Sequence, residues 1–190
     1  NGLPLIAHVI REAKKVRAIN RVIVSTESPK IRRIAEQYGA EVPFLRPKRF
    51  ATDTSPVVDA IEHLVVTLKK KEAYVPDYIV VMLANTPLKK AQDIQDAITL
   101  FFKRKADSLA SIVQTENALL IKDKKTDRLT ILNPEALRSL NRQQLPDVYK
   151  LDGCTINITK TSLFLKTKSF FKGKLIGHVM PRWQAVDIDE

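Results

Sequence analysis

Tyr78-Ile79-Val80-Val81-Met82-Leu83 is an unbroken apolar run, closed on its far side by Ala84-Asn85-Thr86-Pro87-Leu88-Lys89. It is too short for a helix and does not alternate, so it reads as a central strand covered on both faces. The segments around it alternate in type. Downstream, residues 91–105 carry a helical pattern and residues 108–114 a further strand. Upstream, residues 57–68 space Val57, Ala60, Ile61, Leu64, Val65 and Leu68 as one helix face. Thr54 or Ser55 is placed to cap that helix, with Pro56 in its first turn. Further back, residues 3–16 read as a helix through Leu5, Ile6, Val9, Ile10, Ala13 and Val16, and residues 21–26 as a short β-branched strand. A helix opening at Ser28-Pro29 stops at Gly39, and residues 41–46 form an extended piece made irregular by Pro43. Strand and helix in regular alternation predict an α/β fold: a mostly parallel sheet between two helical layers. Ligands of such sheets lie beyond the carboxyl ends of the strands. Those ends carry Ser25-Thr26-Glu27, residues 46–55 and Asn85-Thr86-Pro87.

After Gln114 the rhythm changes. Residues 118–121 and 128–132 predict short strands around a charged turn, and Thr155-Ile156-Asn157-Ile158-Thr159 alternates as another. Residues 115–165 are expected to form a smaller α+β elaboration within a single domain spanning 1–190, covering the site or pairing with another subunit. Asn1-Gly2-Leu3-Pro4 leads straight into the first helix pattern with no strand before it, so an upstream segment is expected.

The 190 residues are 44% hydrophobic, which suffices for one substantial core. No apolar run approaches the ~20 residues that span a bilayer. Cys154 is the sole cysteine, so no intrachain disulfide can form, and a reducing cytoplasm is the expected compartment. The net charge of +11 attracts polyanions, either nucleic acid or nucleotide phosphates. The basic residues are spread out and aromatics are sparse, so nothing looks like a stacking platform for nucleic acid.

Several clusters could carry chemistry. Val186-Asp187-Ile188-Asp189 alternates like a strand and turns both aspartates to one face. Two hard carboxylates suit a Mg²⁺ ion that carries phosphates, although a bare D-x-D also fits a solvated strand end. Arg46, followed by Asp53, Thr54 and Ser55 before a helix, offers a fork and helix-terminal amides to a base carbonyl or a phosphate. An ordinary capped helix would look the same. Arg142 and Gln143, within Asn141-Arg142-Gln143-Gln144, concentrate donors that could grip a carboxylate or simply be solvated. Phe170 and Phe171 are core residues or a pocket wall. Lys89 and Lys90 open a helix, a poor place for cations unless an anion is near. His63 reads as structural. There is no Walker A loop, G-x-G-x-x-G, metal-spaced Cys/His set or G-x-S-x-G.

In order and spacing these pieces resemble the CMP-sialic acid synthetases, the acylneuraminate cytidylyltransferase family. The resemblance rests on Asn1-Gly2-Leu3-Pro4-Leu5-Ile6, on Val24-Ser25-Thr26-Glu27, and on Phe44-Leu45-Arg46-Pro47 followed by Ala51-Thr52-Asp53-Thr54-Ser55. Arg142-Gln143-Gln144-Leu145-Pro146, Asp152-Gly153, Phe170-Phe171 and Val186-Asp187-Ile188-Asp189 complete it. It implies a Rossmann-like nucleotidyltransferase sandwich, a homodimer, and transfer from CTP to a 2-keto sugar acid with Mg²⁺ and release of pyrophosphate. By position, Arg46, Asp53, Thr54 and Ser55 would hold the nucleotide. Asn85, Thr86, Lys89, Arg142, Gln143, Phe170 and Phe171 would face the sugar acid. Asp187 and Asp189 would hold the metal at the catalytic centre.

The sequence also departs from the family pattern. The family's N-terminal strand and R-x-G-S-K loop are absent, so this stretch alone is expected to be impaired or inactive. Its L-Q-P-T-S-P-L-R block reads Leu83-Ala84-Asn85-Thr86-Pro87-Leu88-Lys89, without the glutamine and with Lys for Arg. Asp152 replaces Asn. The competing expectation is a catalytically degenerate α/β protein that binds nucleotide or nucleic acid.

Overall fold

The computed structural model describes residues 2–116, 119–134, 147–153 and 155–188. Helix α1 (Leu5–Lys14) buries Ala7, Val9, Ile10 and Ala13 along one face. Helix α2 (Pro29–Gln37) starts as its sequence dictates: Pro29 fits the first turn and Ser28 Oγ accepts from the Ile31 amide. It is followed by Gly39 at φ +84°, a conformation that glycine adopts without steric cost. Helix α3 (Val57–Glu72), strand β1 (Tyr78–Val81), helix α4 (Ala91–Lys103) and strand β2 (Ser108–Thr115) follow. Then come β3 (Leu120–Lys122), β4 (Leu129–Ile131), β5 (Val148–Leu151), β6 (Asn157–Lys160), α5 (Thr161–Thr167) and β7 (Leu175–Val179).

The main sheet runs β1-β6-β2-β5, with β7 also paired to β2. The expectation of a mostly parallel sheet is corrected here. The β1–β6, β2–β6 and β2–β5 pairings are antiparallel, and only β2–β7 is parallel. β1 and β2 do point the same way, as the α4 crossover between them requires. They are not neighbours, because β6, from late in the chain, lies between them with Tyr78 opposite Lys160 and Ser108 opposite Thr159. Alternation along a sequence sets the relative direction of successive strands. It does not reveal a later strand inserted between them. Residues 21–26 and 41–46, both expected as strands, meet in one parallel bridge at Ile23 and Glu41.

β5 and β6 share one edge of β2 and are separated by residues 152–156. At the break, Ser111 Oγ donates to Asp152 Oδ1 (2.6 Å) and accepts from the Ile156 amide (2.8 Å). The Thr155 amide also donates to Asp152 Oδ1. A buried polar knot thus replaces the ladder where it is interrupted.

The core falls into layers. Ile94, Ala97, Ile98 and Phe101 of α4 pack on Leu109, Val113, Ile156 and Ile158, with Val80 and Met82 alongside. On the opposite face Val58 and Ile61 of α3 pack with Ile79, Val81, Phe164 and Phe170. β3 and β4 form a separate hairpin whose Leu120, Ile121, Leu129 and Ile131 are exposed. No described helix is long and apolar enough to cross a membrane.

Candidate active site

Residues 22–24, joined to Glu41 by the bridge at Ile23, border the same cavity as β1. At their amino ends, Arg21 pairs with Glu72 (2.8 Å) and its guanidinium lies 4.7 Å from the Tyr74 ring centroid. At their carboxyl ends the chain turns polar. Ser25, Arg46, Thr52, Ser55 and Ala84 line the mouth of one cavity there.

Arg46 is held on two sides. Its amide donates to Thr26 O (2.8 Å), and Nη2 donates to Glu27 Oε2 (2.9 Å). Its Nε is buried and has no partner among the described residues, so one arm of the fork remains a donor. The Glu27 carboxyl lies below its usual range. Its own backbone amide and then Arg46 lower it, against a rise from burial. The Arg49 guanidinium lies over Phe50.

His63 sits below, edge-on to Phe44 (5.7 Å) and tilted on Phe50 (5.2 Å), with Nε2 3.4 Å from Thr67 Oγ1. Burial first, then repulsion from Arg49 and Arg46, lowers its pKa. The unfolded chain therefore binds a proton near pH 6.5 that the folded chain resists. Stability contributed by neutral His63 is complete above that pH and declines as pH falls through 6.5 toward the lower folded value. Replacing His63 with Phe should flatten the slope of denaturation midpoint against pH between about 7 and 5. An unaltered slope would show that His63 does not titrate in this way.

The hydroxyl cluster departs from the expected cap. Pro56, not Thr54 or Ser55, stands at the N-cap of α3. Ser55 Oγ instead donates to Arg49 O (3.2 Å) and lies 2.7 Å from Thr52 Oγ1, which closes the 49–55 loop on itself. Asp53 and Thr54 are exposed at its tip.

The loop after β1 is organised by Lys89, which is 0% exposed. Its Nζ donates to Leu83 O (2.9 Å), Thr86 O and Thr86 Oγ1 (2.8 Å). Thr86 is itself buried and donates to Leu83 O. Both residues shape the loop from within, and neither presents its polar group to the outside. Lys90 precedes α4, where its amide donates to Asp93 Oδ2 (2.8 Å), and Glu12 Oε2 accepts from the Ala91 amide (2.8 Å). The anion expected beside the lysine pair is therefore supplied internally.

The C-terminal stretch returns to this loop. Met180 bonds to Ile112 O, buried Gln184 donates to Asp93 Oδ2 (2.9 Å), and the Ile188 amide donates to Asn85 O (2.9 Å). The last bond brings Asp187 to the loop at the carboxyl end of β1. Its carboxylate packs on Gly153, where a Cβ would come within 2.6 Å of Asp187 Oδ2. Gly153 also has φ +79°. Gly153→Ala should therefore cost about 1 kcal/mol in backbone strain and displace the Asp187 carboxylate. A small drop in Tm with a much larger loss of turnover is expected, and wild-type turnover would show that the carboxylate need not sit there. Next to it, Asp152 is 4% exposed, and its Oδ2 accepts no hydrogen bond from the described residues.

Of the residues picked out by sequence, Arg46, Ser55, Asn85 and Asp187 gather at this end of the sheet. Phe170 is core, stacked on Phe164 at 4.9 Å, and Phe171 is partly exposed beside it. Arg142, Gln143 and Asp189 lie outside the described residues. Glu27, Asp152 and Gly153 play no part in the motif reading beyond spelling. Asp152-Gly153, a turn-forming dipeptide, was the available signal.

A family model described as "Cytidylyltransferase" matches residues 1–168. The chain is 28% identical to the CMP-N,N'-diacetyllegionaminic acid synthase of Legionella pneumophila, over 99% of this chain and 81% of that one. It is 26% identical to an N-acylneuraminate cytidylyltransferase of Escherichia coli, over 98% of this chain and 43% of the relative. The fold is like that of a CMP:2-keto-3-deoxy-manno-octonic acid synthetase complexed with CTP (TM-score 0.60, 13% identity, 93% of this chain and 80% of that one).

Proposed function

The chain belongs to the cytidylyltransferase family, and from that premise we propose that it transfers the cytidylyl group of CTP to a 2-keto sugar acid of the sialic, legionaminic or pseudaminic type. The observation that carries this reading is the bond from Ile188 N to Asn85 O. It brings Asp187 to the carboxyl end of β1, the same end of the sheet where Arg46 Nε has no hydrogen-bond partner among the described residues.

In this reading the anomeric hydroxyl of the sugar acid attacks the α-phosphorus. The bond to the β-phosphate oxygen breaks, pyrophosphate leaves, and the hydroxyl proton passes to a carboxylate beside it. Arg46, braced by Glu27, is assigned to the nucleotide, and Thr52 and Ser55 line the same cavity. Arg142 and Gln143 are assigned to the sugar carboxylate. Asn85, on the loop after β1, is assigned to the sugar acid with them.

The donor set suits Mg²⁺. Asp187 offers a hard carboxylate in the space that a Cβ at Gly153 would fill, and the buried Asp152 Oδ2 has no hydrogen-bond partner among the described residues. Among the described residues no group of three His, Cys, Asp or Glu could hold a metal; a Mg²⁺ ion at two carboxylates would take its other ligands from phosphate and water. Asp187 and Asp189 would hold it, and when bound it neutralises charge on the triphosphate.

The exposed leucines and isoleucines of the β3–β4 hairpin support a homodimer through that hairpin.

The test, made on the whole protein, is pyrophosphate release from each of the four nucleoside triphosphates paired with a panel of 2-keto sugar acids. Release with CTP and one such acid is expected. Release with no pair, together with salt-sensitive RNA binding, would favour the nucleic-acid alternative.

A further inference from the structure

Among the described residues, the hydrogen bonds of residues 47–55 all stay within that stretch. The Phe50 amide donates to Pro47 O (2.9 Å), the Ala51 amide to Lys48 O (2.9 Å) and the Ser55 amide to Thr52 O (2.9 Å). Ser55 Oγ closes the loop on Arg49 O (3.2 Å). These bonds give the loop its shape but do not fix its place in the fold. Arg46, at its head, is tied to Thr26 by its amide and to Glu27 by an ion pair. The loop is joined to α3 in another way, through a chain of ring contacts.

The chain passes through one residue. His63, on the second turn of α3, meets Phe44 edge-on, with centroids 5.7 Å apart and planes at 81°. It meets Phe50 at a tilt, with centroids 5.2 Å apart and planes at 40°. Phe44 precedes Arg46 and Phe50 follows it, so one ring holds both flanks of the arginine. Each end of the chain carries a cation: Lys71 Nζ lies 5.4 Å from the Phe44 centroid, and the Arg49 guanidinium 4.8 Å from that of Phe50. The ring is turned by Nε2 toward Thr67 Oγ1, one helical turn further on, and its Nδ1 is buried. Every charged group placed against this assembly is a cation: Arg46, Arg49 and Lys71. Burial, then Arg49 and Arg46, hold the pKa of His63 down, so at pH 7 it packs as a neutral ring.

We propose that His63 is a positioning residue for nucleotide binding: its ring clamps Phe44 and Phe50 against α3 and thereby sets where Arg46 stands, without itself touching the nucleotide. The property used is the aromatic ring, not the basicity of the imidazole. His63 therefore governs affinity for the nucleotide and leaves the transfer step alone. The inference deepens the cytidylyltransferase reading and rests on it for the identity of the nucleotide.

Two variants of the whole protein separate ring from volume: His63→Leu fills much of the space without a ring, and His63→Phe keeps the ring. In His63→Leu the Kd for CTP, measured without acceptor, and the KM for CTP should both rise roughly tenfold or more, as a displaced contact to the ligand requires. Its kcat and its KM for the acceptor should stay within about twofold of the parent. In His63→Phe all four constants should stay within about twofold. Hydrogen exchange at the Arg46 amide, which is bonded to Thr26 O, should quicken in His63→Leu and not in His63→Phe. A histidine that only stabilises the fold would lower Tm and move neither CTP constant. If His63→Leu does not fold, Phe50→Leu removes one contact of the ring and should give the same split between KM and kcat. Equal behaviour of the Leu and Phe variants, an unchanged CTP constant in His63→Leu, or a fall in kcat with KM unaltered would overturn the assignment. A parent protein that binds no CTP would instead defeat the functional reading, and the exchange rates at Arg46 would then decide the positioning role by themselves.

Discussion

Asp187→Asn is expected to lower CTP-dependent pyrophosphate release by roughly 100-fold or more, the scale seen when a preorganised electrostatic contact to the reacting group is lost. The substitution changes charge and hardly changes shape. The Ile188–Asn85 bond is made by backbone and the space over Gly153 is unaltered, so the fold should remain. Circular dichroism and Tm should match the parent, while the Mg²⁺ concentration needed for half-maximal rate should rise. A variant that turns over like the parent would remove Asp187 from the centre and leave Asp189 alone to carry the acidic role.

Lys89→Met should act through stability. The lysine is fully buried, and its ammonium donates to two carbonyls and one hydroxyl of a single loop. Methionine fills a similar volume but donates nothing, so Leu83 O loses its charged donor and Thr86 O is left without this one. Loss of charge-assisted bonds at buried acceptors amounts to roughly 3 kcal/mol. The loop carrying Asn85 should loosen as well, so KM for the acceptor should rise as Tm falls. If Lys89 instead reached the sugar directly, KM would rise with little change in Tm. Measuring both on one variant separates the two roles.

Much of the first half was legible because its signals are local. The apolar run at 78–83, the Ser28-Pro29 start and Gly39 stop of α2, and the face of α3 each depend on neighbours a few residues away. They appear where spacing and capping chemistry place them. Sheet topology was not legible in this way. The pairing of Val81 with Asn157 bridges distant parts of the chain, and nothing local to either residue announces the other. The site divided along the same line. Arg46 and Asp187 stood out by residue type and setting. The support for Arg46 from Glu27, and the close approach of Asp187 to Gly153, are tertiary facts. Lys89 misled for a related reason. A lysine before a helix suggests a ligand anion, yet here the loop's own carbonyls surround it and a glutamate from α1 caps the helix.

Because β6 lies between β1 and β2, the order of synthesis differs from the order of assembly. A nascent chain that has emerged only through residue 115 holds two strands that cannot pair with each other, since the wedge that joins them has yet to be made. Their exposed amides must wait about forty residues for residues 157–160, a delay that favours slow, late closure and engagement by chaperones. A stop codon or proteolytic cut ahead of Asn157 would therefore leave an open, sticky intermediate, not a smaller working fold.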